Sequence, residues 1–220
     1  MQKALSLYDT AIGKKAVMAV SGLVLFGFVI GHMLGNLQLY LGPEALNDYA
    51  HKVKSIAPLL WGTRALVALS LVLHVVTTVQ LYKKTSAARP QAYRMKKSIA
   101  STYASRTMKF TGPVLLFYIL FHLAHFTAPG LDLGHEFSRT DVYSNVVAGF
   151  SIPWVAALYI LGNLCLGFHL YHGSWSLMQS LGLSHPRYNA KRKLIAQTFA
   201  FVVAIANISF PVAVLTGIVK

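Results

Sequence analysis

Five long apolar stretches constrain this chain more than any other feature of its sequence. They fall roughly at residues 16–41, 58–82, 110–128, 152–181 and 196–219. An α-helix needs about 20 apolar residues to cross a bilayer, and helices satisfy their own backbone hydrogen bonds in lipid. Charged residues are only 12% of the 220 residues, against about a quarter in soluble domains. The sequence therefore predicts an all-α membrane protein with five transmembrane helices, forming one domain over residues 1–220.

Basic residues are distributed unevenly between the two sides of the predicted membrane. Fifteen of the 20 Lys and Arg residues lie before the first span, between the second and third, or between the fourth and fifth. Five of the 6 acidic residues lie on the other side. Because short cytoplasmic loops are rich in Lys and Arg, we expect a cytoplasmic N-terminus and a place in the inner (cytoplasmic) membrane. The net charge of +14 suits anionic membrane lipid at these loops, and no nucleic acid partner is expected.

Four histidines lie inside the apolar stretches: His32, His74, His122 and His169. Counting from the span ends at about 1.5 Å per residue puts His32 and His122 in the outer half and His74 and His169 in the inner half. Polar side chains in hydrocarbon are costly and are usually kept for a function. Paired depths on alternating helices therefore predict two bis-histidine metal centres, with haem as the metal group, in a bundle of the first four helices.

Spacing leaves some alternatives open. His125 and His172 each follow a proposed ligand by three residues, nearly on the same helix face, so they compete with His122 and His169. A histidine in a membrane can also serve a proton relay, which makes a haem-free transporter a second kind of function. Transport is the weaker interpretation, because the spans lack the broken helices and inward-facing charges typical of transporters.

Small residues accompany the histidines and leave room for a large planar group. Those near His169 are Gly162, Cys165, Gly173 and Ser176, and the first span carries Gly27, Gly31 and Gly35. Stripes of small residues also allow helices to pack closely in membranes. The sequence does not decide between these two roles.

The order of several short motifs resembles that of one family. The motifs are Ile30-Gly31-His32-Met33, Leu73-His74, Thr111-Gly112 ten residues before His122, and Phe168-His169 followed by Gly173-Ser174-Trp175-Ser176. With the layout of five spans, they are similar to the di-haem cytochrome b membrane anchors of succinate:quinone oxidoreductases, which include the quinol:fumarate reductases.

The resemblance implies that the four spanning histidines are axial ligands of two haems b, and it favours His122 over His125 and His169 over His172. It also implies an FAD flavoprotein subunit and an iron–sulfur subunit on the cytoplasmic face, whose electrons reach a membrane quinone, expected to be menaquinone, through this chain. The sequence has no dinucleotide fingerprint and no cysteine spacing for iron–sulfur clusters. We therefore expect this subunit to take part in quinone reduction but not in succinate oxidation.

Polar residues at the outer level are candidates for the quinone site, since quinone reduction needs a proton donor and hydrogen bonds to the carbonyls. The candidates are Asn36, Asp48, His51 and Arg64, with Gln38 and Asn47 at the same level. Asp48 and His51 are equally ordinary choices for the solvated face of a short helix that begins at Pro43.

An alternative function is a di-haem cytochrome b anchor of another respiratory complex, such as a formate dehydrogenase or a hydrogenase. Such anchors share intramembrane histidines but not this order of motifs.

Overall fold

The structure, a computed structural model, describes residues 7–88, 91, 94–95, 101–128, 131, 133–134 and 136–220. Over these residues seven α-helices follow one another without any β-strand. They are α1 Ala11–Asn36, α2 Pro43–Ser55, α3 Ala57–Ala87, α4 Tyr103–Phe126, α5 Val142–Phe150, α6 Pro153–Ser180 and α7 Pro186–Leu215. Five of them, with α1 extended by a 3-10 turn to Leu41, are long and apolar enough to cross a membrane. The predicted class, an all-α protein with five spans, is confirmed.

Helices α4 and α7 begin well before the apolar stretches from which they were predicted. Helix α4 starts at Tyr103 rather than near 110, and α7 starts at Pro186 rather than near 196. Both starts are capped: the Thr102 side chain accepts a hydrogen bond from the Ser105 backbone N–H at 3.1 Å, and His185 caps α7 in the same way. Hydropathy marks only the part of a helix that lies in hydrocarbon, whereas a capped helix can continue into the interface.

The long helices pack in neighbouring pairs. Helix α1 lies along α3, and α6 lies between α4 and α7, with a smaller contact between α1 and α6. Many large apolar side chains point away from these contacts; Phe117 is 72% exposed and Phe201 is 67% exposed. Lipid tails are as apolar as these side chains, so a bilayer accepts them without cost. The chain is a multi-pass membrane protein.

The short helices α2 and α5 cover one end of the long helices, the end predicted to be outer. Leu46 of α2 and Phe150 of α5 are buried in one apolar cluster with Val155 of α6 and Phe210 of α7. Helix α2 begins at Pro43, as its sequence predicted, whereas α5 was not foreseen. This cover closes the bundle near the level of His32 and His122.

A carboxylate joins the two short helices. Asp141, the N-cap of α5, accepts hydrogen bonds from the Ser144 backbone N–H at 3.0 Å and the Ser144 hydroxyl at 2.6 Å. It also accepts one from Asn47 Nδ2 of α2 at 3.0 Å. These donors, first the Ser144 hydroxyl and backbone and then Asn47, hold the pKa of Asp141 below its ordinary value. Asn47, which stood at the level of the quinone candidates, is engaged in this structural contact.

We expect Asp141→Ala to lower the free energy of unfolding at neutral pH by about 1 kcal/mol, the usual contribution of a helix N-cap. Since the folded-state pKa is depressed, the stabilisation is present above the unfolded-state pKa and is lost as the pH falls through the folded-state pKa. The difference from wild type should therefore narrow in strongly acidic solution. Thermal unfolding in detergent measures it, with Asp48→Ala, at an exposed position of α2, as the control. A loss of the same size at every pH would contradict the role of the charge.

Candidate functional site

The spanning histidines meet in two pairs. The ring centroids of His32 on α1 and His122 on α4 lie 5.7 Å apart, with 83° between the ring planes. Those of His74 on α3 and His169 on α6 lie 6.2 Å apart, with 57° between the planes. The structure thus brings together the same residues that depth paired. In neither pair do the two helices belong to the main packing contacts, since α1 packs on α3 and α4 on α6. The imidazoles face one another across gaps between helices.

The separation within each pair fits two imidazoles that share one metal ion. Two metal–imidazole bonds of about 2 Å, with about 1 Å from each nitrogen to its ring centre, give about 6 Å between ring centres. The Nδ1 atom of His169 is buried and has no hydrogen-bond partner in the described part of the chain, which is unusual for a buried polar atom. Each pair offers two nitrogen ligands, and a porphyrin supplies the other four around an iron. The residues fit a bis-histidine haem.

His74 is oriented by the backbone of the neighbouring helix. Its Nδ1 lies 3.2 Å from the Met18 carbonyl oxygen of α1 and 3.5 Å from the Ser21 hydroxyl. If Nδ1–H donates to the carbonyl, Nε2 keeps its lone pair, as metal-binding histidines require. Helix α1 comes close here because Gly22 has no side chain; a Cβ on it would lie 3.3 Å from His74 Cε1.

His122 is oriented by a hydroxyl that it shares with His125. The Tyr159 hydroxyl oxygen lies 3.3 Å from His122 Nδ1 and 3.0 Å from His125 Nδ1. One hydroxyl can accept a hydrogen bond from the first ring and donate one to the second, which leaves His122 Nε2 with its lone pair. His125 is only 3% exposed and stacks on Phe126 at 3.8 Å between centroids. Of these two histidines, it is His122 whose ring contacts His32.

The small residues separate into two groups. A Cβ on Gly35 would lie 2.6 Å from the Tyr49 ring, and one on Gly162 would lie 2.5 Å from the Tyr118 ring. These two glycines allow close packing of helices, so Gly162 does not provide room beside His169. Three others have open space where a Cβ would stand: Gly27, Gly31 and Gly173. The sequence could not make this distinction, because both roles require the same residue type.

His172 lies beside a small cavity. His169, one turn earlier, is the residue whose ring contacts His74. The cavity has a volume of about 100 Å³ and is lined by Thr102, Tyr171, His172, Trp175 and Lys193. In the described part of the chain, no three His, Cys, Asp or Glu side chains are placed to hold a metal ion.

The quinone candidates lie near the end predicted to be outer, and they do not form one contact group. Asn36 ends α1, and Asp48 and His51 are exposed on α2. Arg64 is exposed on α3, with its guanidinium carbon 5.0 Å from the Trp61 ring centroid. Among the described hydrogen bonds, none joins any two of these four candidates.

The positive charge of Arg64 also affects Lys54, a residue that the sequence did not mark as a candidate. Partial burial, and then the positive charge of Arg64, lower the pKa of Lys54 at the end of α2. The Lys54 ammonium group donates to the Arg139 carbonyl at 2.9 Å. The end of α2 and the start of α3 therefore form a positively charged region.

The fold defines a helical, multi-pass membrane protein in which four spanning histidines meet in two pairs between helices. The model of one family, the succinate dehydrogenase/fumarate reductase transmembrane subunit, matches residues 80–208, and the chain belongs to this family. The match includes His122 and His169, whereas His32 and His74 precede it. It favours this family over a transporter and over the anchor of a formate dehydrogenase or hydrogenase. No curated protein and no solved structure gives a significant match.

We expect Tyr159→Phe to lower the free energy of unfolding by about 1–3 kcal/mol, because it removes a buried hydroxyl that two imidazoles contact. Thermal unfolding in detergent measures the loss. The control is Tyr143→Phe, which removes a hydroxyl that donates to the Lys220 carbonyl at an exposed position and should cost less. Equal losses for the two variants would show that the buried contact has no special importance.

Proposed function

We propose that this chain is the cytochrome b membrane anchor of a succinate dehydrogenase in the inner membrane, with its N-terminus in the cytoplasm. In this role it passes electrons from an FAD flavoprotein subunit and an iron–sulfur subunit on the cytoplasmic face to a membrane quinone, menaquinone. The observation that carries the proposal is the meeting of His32 with His122 and of His74 with His169 in a chain of this family.

In this proposal His32 and His122 hold an outer haem b, and His74 and His169 hold an inner one. A haem held by two histidines supplies reversible one-electron storage on an iron that has no open position for other ligands. The single cysteine, Cys165, rules out the two-cysteine attachment of a covalent haem. In this proposal the histidine side chains would hold the iron without a covalent bond between the protein and the porphyrin.

The chain's own residues fix the tautomer of at least one imidazole in each pair. The Met18 carbonyl can only accept a hydrogen bond, so the ring nitrogen of His74 that faces it is the protonated one. When the Tyr159 hydroxyl donates its hydrogen bond to His125 Nδ1, its oxygen can accept one from His122. Nδ1 of His122 is then the protonated nitrogen. Ligand basicity and ring orientation depend on such partners of a metal-binding histidine.

The quinone site of this proposal lies at the outer end, beside the pair formed by His32 and His122. Helix α2 covers this end, because the Tyr49 ring packs against Gly35, one turn beyond His32. Asp48 and His51 flank Tyr49 in α2 and are exposed, so water can reprotonate them. A proton donor with access to water is what the reduction of a quinone to a quinol requires.

Asn36 and Arg64 complete the proposed set. Asn36 follows Gly35 directly at the end of α1 and supplies an amide that can donate to a quinone carbonyl. Arg64 brings a positive charge to the same end of the bundle, where it would stabilise negative charge on a partly reduced quinone.

Redox-titrated absorption of the purified complex tests the ligand assignment. We expect His32→Ala and His122→Ala each to lose the same one of two haem b signals, and His74→Ala and His169→Ala each to lose the other, because each iron needs both axial ligands. His51→Ala, at an exposed position, should keep both. Loss of a haem from His125→Ala or His172→Ala, with retention in His122→Ala or His169→Ala, would reassign the ligands.

Combined replacement Asp48→Asn and His51→Ala tests the quinone site. We expect succinate oxidation with a menaquinone analogue to fall at least about tenfold, the lower range of what a positioned acid or base contributes. Haem content and succinate oxidation with an artificial acceptor should not change. Glu44→Gln, an exposed change in the same helix, is the matched control. An unaltered rate with the quinone would place its site elsewhere.

A further inference from the structure

Arg192 of α7 is a buried cation with an incompletely paired guanidinium group. Its side chain is 8% exposed. Nη1 donates to Asn189 Oδ1 at 2.8 Å, and the guanidinium carbon lies 4.9 Å from the Trp175 ring centroid. Nε and Nη2 are buried and have no hydrogen-bond partner in the described structure. A buried charge without a counter-ion is strongly unfavourable, especially at a membrane.

Helix α7, which carries Arg192, and the helices that pack on it contain no negative charge. Helices α1, α5, α6 and α7 include no Asp or Glu between them. Within the described residues, the side chain of Arg192 donates one hydrogen bond, to the neutral amide of Asn189. A counter-ion for this guanidinium must therefore come from outside these helices.

The cavity of about 100 Å³ described above lies against the same tryptophan. Trp175 lines this cavity, and the Arg192 guanidinium carbon lies 4.9 Å from the centroid of its ring. Arg192 itself is not among the lining residues, whereas Lys193 adds a cation to the lining and Thr102 and Tyr171 add hydroxyl groups. One cation and two hydroxyl groups beside a buried guanidinium suit a group with several acceptor oxygens.

We propose that Arg192 and Lys193, with the cavity beside Trp175, form a binding site for an oxyanion at the predicted cytoplasmic end of α6 and α7. A carboxylate or a phosphate presents two oxygens to the free Nε and Nη2 atoms of arginine, a pairing that lysine alone cannot make. Asn189 and Trp175 already contact the guanidinium and hold it next to the cavity wall.

Two sources at this level of the membrane supply an oxyanion. One is the phosphate of an anionic phospholipid in the inner leaflet. The other is a propionate of the inner haem, because His172 and Trp175 follow His169 by three and six residues on α6. The second source rests on the proposed function, and the first does not.

The test compares the wild-type complex with the variants Arg192→Gln and Arg192→Lys. Lys191→Gln is the matched control, since Lys191 is exposed on the same helix and carries the same charge. Each complex is placed in nanodiscs of phosphatidylcholine with a minor fraction of phosphatidylglycerol. Native mass spectrometry then measures the phosphatidylglycerol that stays bound, and redox-titrated absorption measures the midpoint potential of each haem.

The two sources give different results. If a lipid phosphate binds, Arg192→Gln loses a phosphatidylglycerol molecule that the wild type and Lys191→Gln retain, and both midpoints stay unchanged. If a propionate binds, lipid retention is unchanged and one midpoint falls, because the uncompensated carboxylate favours the ferric state. Arg192→Lys keeps the charge but not the paired donors, so it should show a smaller change of the same kind.

The proposal is overturned if Arg192→Gln matches both the wild type and Lys191→Gln in lipid retention and in both midpoints. If Arg192→Gln does not assemble, the same two measurements are made on Arg192→Lys. Lipid retention and midpoint potentials equal to those of the wild type would then overturn the proposal. A wild-type complex without haem b would end the proposed function, while the lipid measurement would still decide the oxyanion site.

Discussion

Inside hydrocarbon a polar side chain has no water to bond, so it must find a partner within the bundle. The arrangement of the buried polar groups around Tyr159 follows from that constraint. Asn163 is 4% exposed, and its amide donates to the Tyr159 carbonyl at 2.9 Å and to the Tyr118 hydroxyl at 3.2 Å. The Tyr159 hydroxyl in turn contacts two imidazoles. These hydrogen bonds join α4 to α6. They determine where along α6 the imidazole of His122 lies.

The histidine pairs add a second requirement, because facing rings about 6 Å apart keep helices from closing on each other. The fold meets it by packing each histidine helix closely along a different neighbour, α1 on α3 and α4 on α6. Glycines at Gly22 and Gly162 bring those neighbours together. Helix α1 therefore packs closely on α3 but not on α4, and α6 packs closely on α4 but not on α3.

The sequence was sufficient for the five spans and for the pairing of the histidines. Both follow from bilayer thickness, since span length and residue depth can be counted along a helix. It was not sufficient for the starts of α4 and α7, because caps outside the hydrocarbon decide them. Arg192 was also missed: in a basic stretch that the positive-inside pattern explains, nothing in the sequence marks one arginine as buried. The contact of Tyr159 with two histidines was missed as well, because a contact with another helix depends on packing.

The two histidine pairs differ in what holds them. The ring of His74 contacts a backbone carbonyl, that of Met18, which every residue type at that position would provide. The ring of His122 contacts the hydroxyl of Tyr159, which also contacts His125. A single substitution at position 159 can therefore remove the partner of His122. The partner of His74 changes only if the main chain of α1 moves.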